Sequence, residues 1–82
     1  MSVQIKLSTT LRDSVPGYIP EQGLIVELDD ADTGITAGEL ARRIGLPLEE
    51  IKIVMINSRQ SETSSPVRDG DRVAYFPAVG GG

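Results

Sequence analysis

Eighty-two residues with a formal net charge of −4 make one small domain, which buries only about 60% of its unfolded surface and therefore has a thin core. The charge argues against nucleic acid or an anionic membrane as a partner and fits docking onto a basic protein surface. The absence of Cys and His removes disulfides, thiol nucleophiles, the commonest general base and the commonest metal ligand.

With no Trp, one Phe and two Tyr, the core has to be built from Ile, Val and Leu. Met1-Ser2-Val3 lacks the charged start and apolar run of a signal peptide. The apolar run Ile53-Val54-Met55-Ile56 is too short to cross a bilayer. A cytoplasmic protein with no membrane partner is the expectation. The acidic residues are scattered, and nothing places two in a shared pocket, so the chain is expected to be a carrier or binding module and not an enzyme.

Val3, Ile5 and Leu7 alternate with polar residues, which predicts a half-buried strand. Pro16, Gly17, Pro20 and Gly23 mark residues 9–23 as a loop, with Leu11 and Tyr18 as anchors to the core. Leu24, Val26 and Leu28 alternate again, giving a second strand expected to pair antiparallel with the first. Asp29-Asp30-Ala31-Asp32-Thr33-Gly34 is acidic and turn-like. It does not meet the twelve-residue calcium pattern with its closing Glu, so a solvated loop and no metal site are expected.

Thr36 followed by Glu39 predicts a capping box and a helix to about Ile44. Ala37, Leu40, Ala41 and Ile44 share its apolar face, and Gly45 stops it. Leu46 to Glu50 reads as a turn or a single helical turn. Ile51 to Ile56 is apolar on both faces, with Ile51, Ile53 and Met55 on one and Val54 and Ile56 on the other. That pattern predicts a central strand, more deeply buried than the first two. Asn57-Ser58-Arg59 is a tight turn, residues 60–65 are an edge strand at best, and 66–71 form a turn around Gly70. Arg72 to Phe76 is the last strand, with Val73 and Tyr75 on one face and Ala74 and Phe76 on the other.

One helix with a mixed sheet of four or five strands is an α+β arrangement that describes the β-grasp. Its first and last strands would lie side by side and parallel in the middle of the sheet. Residues 1–76 form that domain, and 77–82 form a flexible glycine tail that leaves from the sheet. The tail ends in Gly80-Gly81-Gly82. Without Cβ atoms such a run supports no packing, but it can thread a narrow channel. From Pro77 to Gly82 it reaches roughly 20 Å when extended.

Asp69-Gly70-Asp71-Arg72-Val73-Ala74-Tyr75-Phe76-Pro77-Ala78-Val79 and the glycines after it resemble the ubiquitin-like sulfur carriers, namely the small subunit of molybdopterin synthase (MoaD) and the thiazole-synthesis carrier (ThiS). Ile56-Asn57-Ser58-Arg59 is similar to the family's Val-Asn-Gly-Arg turn, with Ser58 where Gly is usual, and Thr10-Leu11-Arg12 matches the segment after the first strand in the molybdopterin carriers. The Phe76-Pro77-x-Val79 element and the chain length favour the molybdopterin side, whereas three terminal glycines are common in the thiazole carriers.

The resemblance implies chemistry at the Gly82 carboxylate, which needs neither Cys nor His. A ubiquitin-activating-type adenylyltransferase would adenylate it with ATP and Mg²⁺, and sulfur would displace AMP to leave a thiocarboxylate. The large subunit of a sulfur-accepting synthase would be the second partner. No cofactor would be bound by the chain itself. Phe76, Pro77, Val79, Gly80 and Gly81 are the expected partner-binding residues, with Ala74 beside them. Arg12, Arg59, Arg68 and Arg72 are surface charges by default. A protein modifier conjugated through the same terminus, or a plain β-grasp interaction module, would carry the same domain.

Overall fold

The computed structural model describes residues 1–77. Five strands form one mixed sheet: β1 Ser2–Leu7, β2 Leu24–Glu27, β3 Ile51–Ile56, β4 Arg59–Ser61 and β5 Arg72–Pro77. The order is β2-β1-β5-β3-β4, with a single α-helix, α1 Ala37–Arg43, covering one face. This is the β-grasp expected from the order of elements. No helix among the described residues is long and apolar enough to cross a membrane.

The alternation read in the sequence sets which side of each strand is buried. Val3, Ile5 and Leu7 of β1 join Val73 and Tyr75 of β5 in the core, against Ala37, Leu40 and Ala41 of α1. β1 and β5 run parallel, Ile5 opposite Val73 and Leu7 opposite Tyr75, while β1 and β2 are antiparallel. Tyr75 is fully buried, and its hydroxyl donates to the Ala37 carbonyl at 2.6 Å. Burial raises its pKa, because a phenolate there would lose its hydration.

The helix starts as the sequence predicts. Thr36 Oγ1 accepts from the Glu39 N–H at 3.1 Å, and Glu39 Oε1 accepts from the Thr36 N–H at 3.1 Å. Gly45, with φ of 87°, follows the helix end in the left-handed region that favours glycine. Arg43 in the last turn reaches back to Asp32, 2.8 Å away. Asp32 belongs to a short 3₁₀ turn, Asp30–Asp32, where a plain loop was expected. The acidic stretch thus closes its own capping box and an ion pair, since Asp32 Oδ2 also accepts from the Asp29 N–H. The Arg43 hydrogen bond, followed by the Asp29 backbone bond, lowers the Asp32 pKa from 3.8 to about 2.

Two expectations need correction. The segment read as a loop from residue 9 contains a 3₁₀ turn, Thr9–Ser14, whose Leu11 fills the core. β3 is not the most deeply buried strand: Ile53 is 38% exposed, whereas Val3 and Ile5 are closed off. Two causes are visible. β4 is only three residues long and pairs with Val54–Ile56 alone, so the first half of β3 has no neighbour on that side. A register shift between Ile51 and Ile53 also turns Ile51 toward the core cluster. Ile51 therefore leaves the face it was expected to share with Ile53 and Met55, as a bulge does when it adds a residue to one strand.

The β3–β4 connection holds Asn57 and Ser58 at φ of 52° and 68°, the paired positive angles of a type I′ hairpin. A left-handed non-glycine residue costs about 1–2 kcal/mol, more than the roughly 0.5–1 kcal/mol of chain entropy that glycine loses on folding. Ser58→Gly is therefore expected to raise the unfolding free energy by about 0.5–1 kcal/mol, read as a higher urea midpoint at unchanged slope. Tyr75→Phe removes the buried phenol bond to the Ala37 carbonyl and should lower stability by about 1 kcal/mol in the same titration. Asp32 has a depressed folded-state pKa, so its contribution is complete above pH 3.8 and is lost as the pH falls toward about 2. Asp32→Asn should flatten the dependence of melting temperature on pH in that window and leave it unchanged in shape above it.

Candidate functional site

β5 places the end of the domain. It is the middle strand of five, gripped by parallel β1 and antiparallel β3. The Ser8 N–H donates to the Tyr75 carbonyl at 3.2 Å. Pro77 still pairs with Ile51, so the strand runs one residue past the Phe76 expected as its end. Tyr75 faces the helix, and Ala74 and Phe76 face the other way, half-buried, as the alternation of strand side chains requires.

Cross-strand register builds the rest of this outer face. Phe76 lies opposite Ile53, and Ala74 lies between Met55 of β3 and Lys6 of β1. Gln4 separates Arg72 from Ile25, and Ile25 is 60% exposed. The result is a short apolar strip with Lys6, Gln4 and Arg72 along one side. Phe76, the only Phe in the chain, is thus absent from the buried core.

The segment after β1 closes one side of this strip. The Leu7 N–H donates to Tyr18 Oη at 2.8 Å, and Arg12 Nε donates to the Leu7 carbonyl at 3.1 Å. These bonds fold residues 8–20 against the end of β1, which is also the end of β5 because the two strands are parallel. A cleft of about 190 Å³ results, lined by Lys6, Arg12, Tyr18, Pro20, Ala74 and Phe76 among others. Phe76 and Pro77 therefore emerge beside an apolar strip and two cations.

Of the residues singled out in the sequence, the structure brings Ala74, Phe76, Pro77 and Arg12 to this corner. Val79, Gly80, Gly81 and Gly82 lie outside the described residues. Arg59 and Arg68 lie elsewhere, on a cleft beside β4. Lys6 was missed, although the expected parallel pairing of first and last strands would have set it beside Ala74. Among the described residues, no cluster of three or more Asp or Glu could hold a metal ion.

Known proteins share both the sequence pattern and the shape. The crystal structure of SAMP1 from Haloferax volcanii superposes with a TM-score of 0.67 at 22% identity over 100% of both chains. A crystal structure of the small archaeal modifier protein 1 of H. volcanii gives a TM-score of 0.68 at 18% identity, over 95% of this chain and 98% of that one. The solution structure of the Haloferax volcanii HVO 2177 protein gives 0.71 at 24% identity, over 100% of this chain and 87% of that one. At these identities the likeness concerns the fold. No curated protein matches the sequence significantly. The sequence model of the ThiS family matches residues 17–82, from the loop after β1 through the last glycine. With four of its five strands, its helix and its glycine tail inside that match, the chain belongs to the ThiS family of ubiquitin-like small sulfur carriers.

Proposed function

We propose that the chain carries sulfur on the carboxylate of Gly82 for the synthesis of a pterin-based metal cofactor, as the molybdopterin-type Phe76-Pro77-x-Val79 element suggests. The observation that carries the sulfur-carrier part of this reading is the family match, which extends through the terminal glycines. A free carboxylate is a poor acyl donor. An adenylyltransferase partner would join it to AMP from ATP, with Mg²⁺ on the phosphates, releasing pyrophosphate. Hydrosulfide would then add to the acyl carbon, the C–O bond to AMP would break, and loss of a proton would leave the thiocarboxylate.

The chain's own contribution is placement. A rigid central strand delivers the tail, glycines without side chains let it enter a partner's site, and the partner supplies orientation and charge stabilisation. Phe76 and Pro77, with Val79, Gly80 and Gly81, would seat against the activating enzyme and, in turn, the large subunit of the accepting synthase. An apolar strip with a polar rim suits such transient docking.

A second reading is favoured by the structural likeness to the small archaeal modifier protein 1 of H. volcanii. The same acyl-adenylate, attacked by a lysine amine in place of sulfur, would give an isopeptide.

Intact-mass measurement separates the two. Incubation with the activating enzyme, ATP, Mg²⁺ and sulfide should raise the mass by one oxygen-to-sulfur exchange, and deletion of Gly82 should abolish the gain. An unchanged mass with an enzyme that still charges another carrier would overturn sulfur carriage. Lysine-linked conjugates without a thiocarboxylate species would move the assignment to the modifier.

A further inference from the structure

A second cleft lies away from the Phe76–Pro77 corner. Arg59, Ser61, Ser65, Pro66, Arg68 and Asp71 line most of a depression of about 510 Å³ between β4 and the 65–68 segment. Arg59 pairs with Ile56 across the Asn57–Ser58 turn, and Ser61 pairs with Val54. Both side chains therefore lie on the helix side of the sheet, over the cleft.

Two cations and one carboxylate, that of Asp71, line this depression. Among the described residues neither Arg59 nor Arg68 is in an ion pair; the one such pair joins Arg43 and Asp32. The acids beside them are already engaged. Asp71 Oδ1 accepts from Asn57 Nδ2 at 2.8 Å, and its Oδ2 accepts from the Arg68 N–H at 2.8 Å. Asp69 Oδ1 accepts from the Ser2 N–H at 2.9 Å. Local hydrogen bonds thus hold the carboxylates and leave both guanidinium groups at the cleft.

β4 is also the last strand of the sheet on this side. In a two-residue hairpin, the residues flanking the turn exchange both backbone hydrogen bonds, so the next residue turns its N–H and C=O outward. Here that residue is Gln60. The outward N–H and C=O of Gln60 therefore lie beside two arginines that are in no ion pair and outnumber the one carboxylate of the cleft.

We propose that this cleft docks an extended acidic segment of a partner protein, which lies along the β4 edge and presents carboxylates to Arg59 and Arg68. Charge complementarity selects the occupant: a basic segment would be repelled by the arginines, and an uncharged strand would leave both unused. Strand addition at an exposed edge brings alternate side chains onto one face, so acids at every second position would meet the cleft together. Arginine's planar fork also suits carboxylates. The site is separate from the tail and does not depend on the chemistry at Gly82.

The test is a titration of the ¹⁵N-labelled full chain with a blocked hexapeptide of alternating Glu and Val. Amide shifts are expected at Asn57, Arg59, Gln60, Ser61 and Arg68. Arg59→Glu with Arg68→Glu should weaken binding about tenfold. Arg42→Glu with Lys6→Glu, an identical change in net charge away from β4, should weaken it less than twofold. Both arginines are exposed, and a dispersed spectrum checks that the double variant folds; if it does not, Arg59→Gln alone should still weaken binding measurably. The proposal is overturned if the shifts fall on Ala74 and Phe76, if the control pair weakens binding equally, or if no shifts occur. Full displacement by inorganic phosphate at millimolar concentration would overturn it too, by making the cleft a general anion site.

Discussion

The hydrogen bond from Tyr75 to the Ala37 carbonyl, 2.6 Å long and fully enclosed, joins the middle strand of the sheet to the first turn of α1. The rest of the fold is arranged so that this bond is dry. β1 and β3 flank Tyr75, Leu11 and Leu46 complete the core around it, and the capping box positions the helix end. A phenol buried in this way needs a partner, and the helix carbonyl supplies it. In a domain with few aromatic residues, one ring both fills the core and fixes the register of helix on sheet.

That anchoring has a consequence for function. The residue after Tyr75 points to the opposite face, so the strand most firmly held from within also carries the apolar strip outside. Ala74 and Phe76 cannot slip inward without a register shift that would expel Val73 and Tyr75. β5 thus holds a fixed outer face at the end of the described residues. Lys6 and Arg12 sit beside that end because β1 and β5 end together.

Local contacts decide which charges stay available at the surface. Asp29 and Asp32 are tied up in capping bonds and the Asp32–Arg43 ion pair. Near β4, Asp69 and Asp71 close turns, while Arg59 and Arg68 remain at a cleft. A net charge of −4 therefore says little about any single surface. What a carboxylate offers a partner depends on how many of its oxygens are already occupied.

Much of this was legible in the residues. Period-two alternation identified β1, β2 and β5 with their buried faces, Thr36 and Glu39 identified the helix start, and Gly45 its end, because each signal is local and rests on backbone geometry. The glycine tail and the Phe76-Pro77 element pointed to the family for the same reason: they are contiguous. Tertiary structure alone decided the rest. The bulge that turns Ile51 inward and the shortness of β4 that exposes Ile53 depend on pairing partners distant in the chain. Arg12 read as a surface charge until the fold of residues 8–20 brought its guanidinium to the Leu7 carbonyl. Arg59 and Arg68, nine positions apart, become neighbours only when the 65–68 segment packs beside β4. Sequence carries what a residue does to its own backbone, whereas which side chains share a cleft is set by long-range contacts that no local pattern encodes.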